Sequence, residues 1–160
     1  MLDKNYNPSQ FESELYNNWL KNGYFHSEPN EKKKKFSIAM PPLNVTGKAH
    51  MGHALNNTIQ DVLIRYRRMK GFEALWLPGT DHASISTEMK VVQSLREQGI
   101  KKSDLTRQEF LDECWKWTDE YSENIRNQWG KLGLSVDYNK EAFTLDDNLT
   151  KAVKTVFLKL

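Results

Sequence analysis

The sequence predicts an α/β fold built on a parallel βαβ unit, and three observations carry that reading. Phe36, Ile38 and Met40 alternate with small residues until Pro41-Pro42 stops them, which is the signature of a strand end, because neither proline can donate to a ladder. Leu55, Ile59, Val62, Tyr66 and Met69 then recur at helical spacing, and Gly71 closes the run. The apolar stretch from Phe72 to Leu77, ended by Pro78-Gly79, is short enough for a buried strand. Two strands joined by a helix of that length imply parallel pairing and a right-handed crossover.

The remaining elements follow in order. Asn7-Pro8-Ser9-Gln10 reads as an N-cap, a proline at the first helical position and a glutamine closing a box. Phe11, Leu15 and Trp19 mark the face on which this N-terminal helix packs, and Gly23 ends it. His26 to Lys35 is charged loop; its lysine run, Lys32 to Lys35, suits either RNA phosphate or solvent and receives no function, and His26 reads as a solvated loop residue. A helix is expected from Ser86 to Gln98. Another opens on the box Thr106 to Glu109 and carries Phe110, Cys114, Trp117, Tyr121, Ile125 and Trp129 to about Lys131. Its tryptophans could stack bases, but core packing is the simpler use, and Cys114 on the same face reads as an inert core thiol. A last helix starts at Asp146 or Asp147, with Leu149, Val153, Phe157 and Leu160 on one face.

Composition narrows the class. A chain of 160 residues, 38% hydrophobic and 28% charged, can bury one modest core of ordinary globular type. A net charge of +2 does not announce a nucleic-acid-binding module, and one cysteine makes neither an internal disulfide nor a Cys-type zinc site. No apolar run suits a signal peptide or a membrane span, so the cytoplasm is the expected compartment.

The polar residues cluster where the fold would use them. His50-Met51-Gly52-His53 falls at the start of the central helix, where unpaired N–H groups and the dipole favour an anion. In open α/β sheets ligands bind at the carboxyl ends of strands, and both Pro41 to His53 and Thr80 to Ser86 leave such ends, so they are expected to face one crevice. Two histidines three apart also suit a metal ion, with Asp81 or His82 completing the set; phosphate ranks first because no further ligand cluster appears. Asp81 after Thr80 is otherwise a helix cap, His82 a brace for its loop, and Lys48 a surface charge.

The stretch NVTGKAHMGHALNNTIQDVLIRYRRMKG followed by LWLPGTDHA resembles the catalytic domain of class I aminoacyl-tRNA synthetases, most closely their valyl branch, and His50 to His53 is its form of the HIGH motif. The resemblance runs from about Tyr6 to Leu160. It departs at Leu43, where the family usually has a third proline, and at Ser84 and Ser86, where it usually has Gly and Ala.

The resemblance implies a Rossmann-like nucleotide-binding domain, of which residues 36–160 are the first part, after an N-terminal helix and charged loop at 1–35. It implies that valine is activated by ATP, presented with Mg2+ as a substrate complex, and passed to tRNA(Val). No resident metal is expected. His50 and His53 become the catalytic donors; His50, Gly52, His53 and Thr46 the ATP-binding set; Pro41, Pro42, Asn44 and Asp81 the amino-acid set, with Leu43 beside the prolines in the pocket wall. Asp81 would pair with the substrate's α-ammonium. No Lys-Met-Ser-Lys-Ser-like loop and no room for editing or anticodon-binding parts are present, so the chain is expected to be the N-terminal piece of a longer enzyme, inactive alone. A non-catalytic remnant or ATP- or tRNA-binding module of the same descent is the alternative.

Overall fold

In the computed structural model, which describes residues 5–160, the chain divides into two compact units that each draw on separate stretches of sequence. The first joins the described residues up to Met40 with His50–Pro78 and Arg126–Glu141; the second joins Pro41–Ala49, Gly79–Ile125 and Ala142–Leu160.

The first unit holds the predicted βαβ element. Strand β1 (Lys35–Ala39) pairs in parallel with β3 (Glu73–Leu77), in register from Lys35 opposite Glu73 to Ala39 opposite Leu77, and α2 (Met51–Met69) connects them. Trp76 and Ala74 on β3, Ile64 on α2 and Trp129, Leu134 and Val136 are buried in this unit. The N-terminal helix α1 (Pro8–Lys21) is capped as expected by Asn7, whose side chain accepts from Ser9 N. Its packing differs from expectation. Phe11 and Leu15 are exposed, and the helix is anchored by buried Tyr16, whose hydroxyl donates to Leu134 O at 2.8 Å and meets the Tyr138 hydroxyl at 3.2 Å. Burial pushes both phenols above their ordinary range. His26 is an exposed loop residue, as expected, and is also bonded: its Nδ1 lies 3.1 Å from Asp137 Oδ2 and its Nε2 3.0 Å from Glu28 Oε1. Buried Asp137 also accepts from the backbone N–H groups of Ser27 and Asn139, so the imidazole completes an acceptor that the fold has already committed.

Helix α2 has the predicted span and the opposite orientation. The stripe Leu55, Ile59, Val62, Tyr66 and Met69 is exposed, whereas Asn57, Asp61 and Ile64 face inward. The cause is a set of polar bonds on the inner side. Asp61 accepts from Ser135 N and Oγ and from Arg65 Nε, while Arg65 donates to Gly133 O and Arg68 to Phe25 O, Ser135 O and Ser135 Oγ. Arg65 and Arg68 also stand over the Phe25 ring at 5.8 and 5.4 Å. Burial lowers the Arg68 pKa to about 10.

The second unit contains a three-stranded parallel sheet of very short strands, ordered β2 (Leu43–Asn44), β4 (Gly79–Asp81), β5 (Ala142–Phe143). These pairings escape sequence reading because two or three residues show no alternation. Gly79 lies close against the third strand: a Cβ there would stand 3.0 Å from Ala142 O, a tight contact with backbone. Helix α3 (Ile85–Glu97) begins one residue earlier than expected and packs Val91 and Leu95 on Phe110 of α4 (Arg107–Lys131), with Cys114 and Trp117 partly buried beside them. Burial raises the Cys114 thiol pKa, as suits an inert core residue. The Thr106–Glu109 box is formed in both directions, at 2.7 and 3.3 Å. Trp117 stacks on Tyr121 and donates to Val45 O at 2.8 Å, and Trp115 is exposed. Helix α5 (Asp147–Phe157) begins where expected, but Leu149, Val153 and Phe157 on it are exposed, as is Leu160 beyond it.

Candidate functional site

In the first unit the H-x-G-H stretch forms the start of α2 and caps it with its own side chains. His50 is the N-cap, in extended conformation, and its Nδ1 accepts from Gly52 N at 3.1 Å; His53 Nδ1 accepts from His50 N at 3.2 Å. The rings lie 3.9 Å apart between centroids. An Nδ1 that accepts carries no proton, so each neutral ring bears its hydrogen on Nε2. Neither Nε2 has a hydrogen-bond partner among the described residues, and the result is two N–H donors at the positive end of a 19-residue helix. Burial, and then the neighbouring His50 ring, lower the His53 pKa, which favours that neutral donor.

Gly52 is part of the same device. A Cβ on it would lie 2.9 Å from His50 Cε1 and 3.1 Å from Nδ1, so any side chain would push the capping ring aside.

The second unit holds the residues expected around an amino acid. Asn44 on β2 pairs in register with Asp81 on β4, and Val45 N donates to Asp81 O at 2.9 Å. Pro41, Pro42 and Asn44 are exposed and Thr46 is half-buried, whereas Leu43 is buried at 5% exposure. Asp81 does not cap α3. Its Oδ1 accepts from Ala83 N at 2.9 Å, and the N-cap is Ser84, which makes no side-chain cap bond.

Ala83 and Ser84 both have positive φ, 48° and 40°. Such values are rare for residues with a Cβ, and Ser84 stands where the resembling family usually has glycine. His82 braces this turn: its ring nitrogen Nδ1 lies 2.6 Å from Thr144 Oγ1, and its carbonyl accepts from Thr87 Oγ1 at 2.6 Å. Thr144 escaped sequence reading because it lies 63 residues from Asp81 and belongs to no motif.

Among the described residues no three His, Cys, Asp or Glu side chains stand together where a metal ion could be held. Nor, among the described residues, is any helix long and apolar enough to cross a membrane.

The profile of the family described as tRNA synthetases class I (I, L, M and V) matches residues 14–160, and the chain belongs to that family. Similar curated proteins are the valine–tRNA ligases of Clostridium perfringens, 53% identical, and of Streptococcus pyogenes, 54% identical, each over 99% of this chain and 18% of the relative. Among solved structures, a LeuRS from Agrobacterium radiobacter in ternary complex with tRNA and LeuAMS matches with a TM-score of 0.78 at 20% identity, over 98% of this chain and 18% of that one. That likeness is one of fold, the α/β architecture expected of a Rossmann-like domain. The chain spans less than a fifth of the length of these proteins.

Proposed function

We propose that these residues belong to a valine–tRNA ligase of the cytoplasm, that residues 36–160 are the first part of its Rossmann-like catalytic domain, and that activity requires the rest of the protein. The reaction joins the carboxylate of valine to the α-phosphorus of ATP, supplied as its Mg2+ complex. A carboxylate oxygen forms the new P–O bond, the bond to the β-phosphate breaks, and pyrophosphate leaves. The aminoacyl group then passes to tRNA(Val).

The observation that carries the reading is the reciprocal histidine cap, which leaves two Nε2–H donors at a helix N-terminus. Charge grows on the non-bridging phosphate oxygens in the transition state, and preorganised donors stabilise it without reorganising. His50 and His53 take that role, Gly52 keeps the His50 ring in place and, as the family resemblance implies, lets adenine approach, and Thr46 belongs to the same nucleotide set. Pro41, Pro42 and Asn44 border the amino acid, and Asp81 receives its ammonium.

In the full-length protein, His50→Ala and His53→Ala should each slow valine-dependent pyrophosphate exchange by about 10²–10³ with valine binding little changed. Near-normal exchange with a large fall in valine affinity would move the histidines out of the phosphate role.

A further inference from the structure

Thr144, which directly follows β5, has a hydroxyl set among groups of the 81–82 turn. Its backbone N–H extends the ladder by donating to Thr80 O at 3.2 Å. Its Oγ1 accepts from His82 N at 3.0 Å, and lies 2.6 Å from His82 Nδ1 and 3.2 Å from Asp81 Oδ1. A hydroxyl has one proton and two lone pairs. The His82 amide occupies one lone pair. The proton has two acceptors in reach, and the charged carboxylate is the stronger, since charge-assisted bonds are roughly twice as strong as neutral ones. The hydroxyl therefore donates to Asp81, and His82 Nδ1–H fills the second lone pair.

The bonds run in one direction, from His82 through Thr144 to Asp81. Asp81 Oδ1 then receives two donors, Thr144 Oγ1 and Ala83 N, and His82 Nδ1 stands 3.4 Å from the same oxygen. Its Oδ2 has no partner among the described residues.

We propose that Thr144 is a positioning residue for the amino-acid ammonium: it freezes the Asp81 carboxylate by one oxygen and leaves the other presented to the ligand. The proposal rests on the reading of Asp81 given above. Two donors, a backbone amide two residues on and a side chain 63 residues away, restrict the Asp81 carboxylate more than one would. The branched Cβ of threonine, stiff at χ1, keeps the hydroxyl in that orientation.

The test is a set of variants of the full-length protein assayed by valine-dependent pyrophosphate exchange. Thr144→Val keeps the shape and removes the hydroxyl; it should raise KM for valine about tenfold, with kcat and KM for ATP changed less than about twofold. Thr144→Ser should restore most of the valine KM. Asp81→Asn should raise the valine KM at least as much, and adding Thr144→Val to it should cost little more, because the two act through one contact. An unchanged valine KM in Thr144→Val beside a raised one in Asp81→Asn overturns the positioning role alone. An unchanged valine KM in Asp81→Asn overturns the reading of Asp81 and the proposal with it. Loss of kcat and melting temperature in Thr144→Val that Thr144→Ser does not repair marks Thr144 as merely structural.

Discussion

His53 accepts at Nδ1 the backbone N–H of His50, 3.2 Å away, so the first turn of α2 is held by an imidazole that must stay unprotonated. Burial of His53, and then the neighbouring His50 ring, lower its pKa from the ordinary 6.5, and the unfolded chain therefore binds this proton more readily than the folded one. The contribution is complete above the ordinary histidine range and is lost as pH falls through it toward the folded value. Amide exchange at His50, corrected for intrinsic rate, should be faster at about pH 5.5 than at about pH 8. Equal protection at the two pH values would show that the cap does not depend on the neutral ring.

Ser84 adopts φ 40° and ψ −110°, a combination glycine reaches without a Cβ clash. Ser84→Gly should stabilise the protein by about 1 kcal/mol, since relief of a backbone strain of roughly 1–3 kcal/mol outweighs the extra freedom of the unfolded glycine. A thermal melt reads the difference. A lower midpoint in the glycine variant would mean that the turn is not strained.

Gly79→Ala should cost about 1–3 kcal/mol, because the neighbour that its Cβ meets is backbone and cannot rotate away. The damage should be local to the β4–β5 pairing, so the Thr144 amide, bonded to Thr80 O, should lose exchange protection first. Protection unchanged at Thr144 would place the accommodation elsewhere.

Asp61→Ala should be the costliest single change on α2. It strips the acceptor from Ser135 N, Ser135 Oγ and Arg65 Nε together. Donors left unpaired in a buried site cost about 1–3 kcal/mol each, but the Arg65 side chain is 38% exposed and regains solvent, so a total of about 3 kcal/mol is expected. Denaturant unfolding of Asp61→Ala beside Asp61→Asn, which keeps one acceptor oxygen, measures it; equal midpoints for the two would refute the hydrogen-bond account.

Features that depend on neighbours in sequence were legible. The Thr106–Glu109 box, the Asn7 cap and the strands on either side of α2 each rest on residues close along the chain. The H-x-G-H stretch could be placed at a helix start, but its mutual capping could not be read, because nothing in the letters says which ring nitrogen accepts. Contacts made at long separation were hidden. Asp81 meets Thr144 and His26 meets Asp137 only after the intervening chain has folded, and no local pattern marks either pair. The burial of Leu43 was equally hidden, since it follows from a register on β2 that places it opposite buried Thr80.

The inward face of α2 inverts the usual map of mutational tolerance. A saturation scan of these 160 residues for retained fold should find Leu55, Val62 and Met69 permissive to polar replacement, while Asp61 and Arg68 reject even large apolar ones. A substitution matrix that scores leucine-to-lysine as severe and arginine-to-methionine as mild would rank this helix backwards. The reason is that its fold is written in carboxylate and guanidinium geometry, which few other side chains can reproduce.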